Sequence, residues 1–267
     1  TKSWFGNHNV NGKLNFGKSE ISFYYGTNQQ YFEELWYKRT ETFTFEDGSQ
    51  YHRHQQTEPV YSKGYDGNGG FTYNLQDGNK YMLNITAKLN HGADPTREEK
   101  GKLYTEEYPE LVTDRIDMYH GSDFTPSLDI YYQRNLKNKQ FLAFNAVGTY
   151  MRTTRQSQYK EFLNNEPIVD YTSSVKGKKY SLIAEGTYEK SFANGGRLNT
   201  GIKHTQSYTN NLYDGTLFYH TQMRQAVSYG YVQYNGRWQK LRYGFGVGAT
   251  RSWFHQDGQK EYEKWSF

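Results

Sequence analysis

Cysteine is absent from the 267 residues, which excludes a disulfide framework, a thiolate metal site and a cysteine nucleophile. Aliphatic residues are scarce as well. Leu, Ile, Val and Phe make up only about 18% of the chain, less than helix bundles or parallel sheets need for a core. No stretch approaches the roughly 18 apolar residues of a membrane-crossing helix. Thr1–Gly6 carries neither a basic leader nor an apolar run, so no signal peptide is expected there. The net charge of +4 is too mild and scattered to argue for nucleic acid. Disorder is disfavoured too, because that low charge comes with 27 Tyr, 16 Phe and 5 Trp.

Aromatic, amide, Thr and Gly residues are abundant, the composition of pleated strands and their turns. Asn-Gly or Asp-Gly occurs nine times, beginning at Asn11, Asp47, Asp66, Asn68, Asp77, Asn194, Asp214, Asn235 and Asp257, and each predicts a hairpin turn. Beside these turns apolar and polar residues alternate, which puts them on opposite faces of a strand. Tyr81, Leu83, Ile85, Ala87 and Leu89 oppose Lys80, Met82, Asn84, Thr86 and Lys88. Leu128 and Ile130 oppose Asp129; Leu142, Phe144 and Ala146 oppose Asn145; Leu182 opposes Glu185; Phe245 and Val247 oppose glycines.

Short connections near Gly17, Asp77, Leu136, Asn194 and Asn235 alternate with polar stretches near 91–126, 156–175, 209–222 and 255 onward. Tight turns at one end and long loops at the other are the asymmetry of outer-membrane barrels. Segments such as 140–152, 180–190 and 240–252 reach the 9–11 or so residues a tilted membrane strand needs. Aromatics such as Tyr81, Tyr150, Tyr180, Tyr188 and Trp238 gather toward segment ends, where membrane interfaces favour them. A mean hydropathy of -1.03 is compatible with this, since one face and all loops would be wet.

The run Thr125–Leu136 with Lys139–Leu142 resembles a strand–turn–strand unit of the Bacteroidetes outer-membrane β-barrel proteins related to TonB-dependent receptors. Gly201–Tyr208 with Met223–Ala226, and Tyr234–Trp238 with Thr250–Phe254, are similar to the same family. The resemblance implies an all-β fold: an antiparallel transmembrane β-barrel, with residues 1–267 holding about 9–11 strands of a 22-strand type of barrel. The chain would be part of a longer protein in the bacterial outer membrane, without its plug domain and N-terminal β-domain. Expected partners are outer-membrane lipid, the plug domain, the TonB complex, a surface lipoprotein and an unknown ligand.

On this reading Leu83, Ile85, Leu142, Phe144, Leu182, Phe245 and Val247 face lipid. Lys80, Asn84, Thr86, Asp129, Asn145, Glu185 and Lys203 face the lumen. Alternative readings are a soluble or surface-anchored all-β glycan-binding module, in which the apolar face packs on a second sheet, and a structural barrel subunit. No cofactor and no enzymatic activity are expected. His52 and His54 could share a strand face but read as a strand tip, not a metal site. Gly244, Gly246 and Gly248 lack the helix that a phosphate loop needs; they read as an opening for a neighbouring backbone or plug. Glu98, Glu99, Glu106, Glu107 and Asp114 read as a solvated loop.

Overall fold

The computed structural model describes residues 3–267, apart from the side chains at 35, 60, 95 and 96. Its elements are β1 (Ser3–Phe16), β2 (Ser19–Leu35), β3 (Lys38–Thr44), β4 (Gln50–Thr57), β5 (Val60–Asp77), β6 (Tyr81–Thr105) and β7 (Thr113–Leu136), followed by β8 (Gln140–Leu163), β9 (Glu166–Ser191), β10 (Arg197–Gly215), β11 (Tyr219–Trp238), β12 (Leu241–Gln256) and β13 (Tyr262–Ser266). There is no helix among the described residues. All thirteen strands belong to one antiparallel sheet. β1 pairs β2, β2 pairs β5, and from β5 each strand pairs with the next as far as β13; the β3–β4 hairpin leaves this path and lays β4 against the far end of β6. Eleven strands therefore follow one another, and the hairpin adds two.

The sheet is one layer thick. Its accessible surface of 18251 Å² exceeds by about half the roughly 12,000 Å² expected of a compact monomer of this mass. Among the described residues Leu103 is the single buried apolar side chain, while Val247 stands 71% exposed and Phe245 66%. No second sheet covers the apolar face in the described residues, so the stacked-sheet packing that a soluble sandwich requires is not present here.

Cross-strand register assigns the faces, because paired residues of an antiparallel ladder point the same way. Ile21, Tyr73, Ile85, Ile130, Ala146 and Ala184 form one transverse apolar row. Leu75, Leu83, Tyr132, Phe144, Gly186 and Ile202 form the next toward the tight turns. Rings border these rows: Tyr81 and Tyr188 toward the turns, Tyr150, Tyr180 and Tyr208 toward the other end. The apolar face is not uniform. On β10–β12 it carries His204, Gln206, Ser228 and Arg251, which bond locally: His204 Nδ1 lies 2.8 Å from Ser228 Oγ, and Arg251 2.8 Å from Glu263.

Three expectations are corrected. First, the polar stretches read as loops are mostly strand. β6 runs to Thr105 and β7 starts at Thr113; β8 and β9 are 24 and 26 residues long and turn at 164–165. Ladder hydrogen bonds need no apolar alternation, so ribbons polar on both faces escape a search for it. Second, Asn11, Asp66, Asn68 and Asn235 lie inside strands, Asp214 falls at the end of one, and the β11–β12 hairpin turns at 239–240 instead of Asn235. Gly12 and Gly236 are instead roofed by rings of the neighbouring strand, Phe23 and Tyr243. A Gly-Tyr pair in this sheet thus replaces a turn signal with a packing contact. Third, Lys80 belongs to the β5–β6 turn, 3.9 Å from Asp77, and not to a strand face.

Candidate functional site: the polar face and its outer extension

The polar face is built by register. Glu20, Asn74, Asn84, Tyr131, Asn145, Glu185, Lys203, Tyr229 and Thr250 align in one transverse row from β2 to β12. Thr86 and Asp129 pair in the adjacent row. Six of the residues expected to face the lumen thus share one face, and the seventh, Lys80, does not. The seven residues expected to face lipid lie on the opposite face.

Along the polar row hydrogen bonds relay from strand to strand. Lys13 Nζ lies 2.7 Å from Glu20; Asn74 donates to Glu20 at 3.2 Å, and Asn84 donates to Asn74. Thr86 donates to Asn84 at 3.1 Å. Glu185 and Lys203 stand 3.9 Å apart. A 540 Å³ cleft opens above Asn84, Asp129, Tyr131, Asn145, Glu185 and Thr187. Farther from the turns a 720 Å³ cleft is lined by Asn28, Asp66, Asn68, Asn90, Asp94 and Asp123, among others. Arg155 spans its edge, 2.8 Å from Asp123 and 3.4 Å from Asp94. Amide and carboxylate side chains of this kind orient hydroxyl or amide groups of a polar ligand.

Gly244, Gly246 and Gly248 lie on this face, but they open no gap for another backbone. A side chain at each would meet Asn235, Gln233 and Tyr229 of β11, which already lie there.

Beyond the clefts the strands continue, and a one-residue bulge in β6 between Ala93 and Arg97 turns Arg97, Glu99, Gly101 and Leu103 onto the polar face. There the chain forms a buried charged knot. Arg115 Nη2 bonds Glu99 at 3.4 Å and also Asp117; Arg97 lies 3.2 Å from Glu99. Tyr37 donates to Glu99 at 2.6 Å and accepts from Gln55 at 2.9 Å. Arg115 also sits over the Tyr159 ring at 5.5 Å, and Tyr159 donates to Glu161. Burial, reinforced by Glu161, pushes the Tyr159 phenol far above its ordinary value. Burial and Glu99 also raise that of Tyr37. Both therefore remain neutral donors at physiological pH.

Glu99, expected in a solvated loop, is instead among the most buried side chains. No local pattern announces it; the bulge and the arrival of β4 place it. His52 and His54 do share a face of β4, where each meets a threonine, Thr42 at 3.1 Å and Thr40 at 3.0 Å. No group of three or more metal-binding side chains forms among the described residues.

No known protein family, curated protein or solved structure matches this chain.

A pH dependence follows from the hairpin. Arg53 hydrogen-bonds Glu41 across β3 and β4 and holds its carboxyl below the ordinary value near 4.5. A lowered carboxylate stabilises the fold fully above its unfolded value and loses that contribution as pH falls through the folded one. Amide protection in Lys38–Thr57, corrected for the pH dependence of intrinsic exchange, should therefore be steady from pH 7 to 5 and fall, relative to β8, below about pH 4. Equal loss of protection in both segments would remove Glu41–Arg53 as the cause.

Proposed function

We propose that this chain is a portion of an outer-membrane β-barrel, of the TonB-dependent receptor or transporter type. The observation that carries the reading is a single-layer sheet whose apolar rows are left uncovered by the described residues. In water such a face is costly, at about 25 cal/mol per Å² of exposed apolar surface; against hydrocarbon it is not.

Dimensions support it. Tyr188 and Tyr180 are eight residues apart on β9, about 27 Å along a strand and about 20 Å along the normal at a tilt near 40°, close to the apolar band of outer-membrane barrels. Strands that run on past one ring row, but end in tight turns past the other, match the two unlike sides of such barrels. The polar face would line the lumen, and the outer ribbons with their clefts and charged knot would receive a polar ligand before it passes inward. The polar residues of this face on β10–β12 are satisfied by one another and by Glu263 of β13, at the end of the sheet order, where further barrel strands would join.

Because the chain has no cysteine, single cysteines report each face cleanly. In intact membranes, Asn145→Cys and Glu185→Cys should react with a water-soluble maleimide. Phe144→Cys and Leu182→Cys should react only after the membrane is dissolved and the chain unfolded. Equal labelling of all four positions in intact membranes, or recovery of the folded chain without detergent, would refute the proposal.

A further inference from the structure

The apolar face changes character within one pleat beyond its outer tyrosines. Tyr150, Tyr180 and Tyr208 lie side by side across β8, β9 and β10, with ring centroids 4.8 Å and 6.2 Å apart. The next residues on the same face are Arg152 and Lys178, direct cross-strand partners, and Lys176 follows one pleat farther on β9. All three are exposed, and none is in an ion pair among the described residues. The Arg152 guanidinium lies over a ring, 5.9 Å from the centre of Phe124. Asp214 is the nearest acid on this face by register, one pleat beyond Lys176.

Like charges placed directly opposite each other destabilise a sheet. The opposite face of β9 avoids this, setting Glu185 against Lys203 of β10. An uncompensated Arg152–Lys178–Lys176 cluster therefore calls for an anion from outside the chain.

The surface below the tyrosines indicates what carries that anion. Gly148 lies between its cross-strand partners Leu128 and Leu182, and a side chain added there would meet nothing within 4 Å. The result is a gap floored by backbone and flanked by two leucines, with the Tyr150–Tyr180 row between it and the cations.

We propose that this corner of β7–β9 binds a lipid with an anionic phosphate headgroup, its acyl chain in the gap over Gly148 and its phosphate on Arg152, Lys176 and Lys178. The inference rests on the apolar face meeting lipid. It adds a site on that face for one class of lipid, in the leaflet beside the long ribbons.

The test uses the full chain in mild detergent micelles, titrated with phosphatidic acid or phosphatidylcholine, with bound lipid phosphorus read after desalting. Phosphatidic acid should be retained preferentially. Each basic residue near an anionic surface is worth about fivefold in affinity, so Arg152→Gln, Lys176→Gln and Lys178→Gln together should weaken binding on the order of 100-fold. Lys179→Gln with Lys203→Gln, on the opposite face, should leave it unchanged. Gly148→Leu should weaken long-chain phosphatidic acid but not its dihexanoyl form. Equal retention of both lipids, equal loss in the opposite-face variant, or full displacement by millimolar inorganic phosphate would overturn the proposal. The cysteine-labelling pattern separates the two failures: if it alternates while lipid preference is absent, only the phosphate site is lost, and if it does not alternate both readings fall.

Discussion

Arginine in place of Ile130 is expected to destabilise the folded chain in a bilayer by about 2–4 kcal/mol, the cost of a cation at the middle of a barrel's lipid face. Ile130 lies midway between the ring rows, with Ile85 and Ala146 as its cross-strand partners. None of the three offers a counter-charge. Asn145→Arg places the same cation on the other face beside Glu185 and should change stability by no more than about 0.5 kcal/mol, as surface substitutions usually do. Urea unfolding in phosphatidylcholine vesicles, followed by tyrosine and tryptophan fluorescence, measures both. Equal effects would mean that the two faces meet the same solvent, which the membrane reading forbids.

The second large effect is expected at Arg115. Its side chain is 9% exposed and that of Glu99 5%, so Arg115→Met strands a buried carboxylate. Breaking a buried pair from one side costs about 3–5 kcal/mol; Arg97 at 3.2 Å and Tyr37 at 2.6 Å still face Glu99 and hold the loss near the lower figure. The damage should be local. Gln55–Thr57 of β4 pairs Gly101–Leu103 of β6 around this knot, and those amides should exchange faster while β8 and β9 keep their protection. Arg115→Met combined with Glu99→Gln should recover most of the protection, because the buried carboxylate is gone and the charges that lose a partner, Arg97 and Asp117, still reach water. Unchanged exchange in the single variant would show that the knot does not hold β4 to β6.

Where one face is apolar the strands are legible, as in 81–89, 128–133, 142–150 and 180–189. There alternation assigns Asn145 and Phe144 to opposite faces without knowledge of any partner strand. Lys80 shows the limit: its parity continues that of Met82 and Asn84, but the chain has already left the strand. The outer ribbons were illegible for a different reason. Residues 152–163 and 166–178 are mostly polar, with their few apolar residues on both faces, so no period marks them, and their strand character comes from hydrogen bonds to each other. Glycine misled where a ring from the adjacent strand covers it, as Phe23 does Gly12. Such a contact joins residues 11 apart in sequence and has no local signature.

Side-chain parity, set by the two-residue repeat of an extended chain, settled from sequence that this is an all-β protein with one greasy and one wet side. Register, layer number and burial depend on which strand lies beside which. Only the tertiary structure could align Glu20 through Thr250 in one row, leave the greasy side without a covering layer, and fold β4 back to enclose Glu99 and Arg115. Those outcomes come from hydrogen bonds and charges between segments far apart in sequence, information that no local window contains.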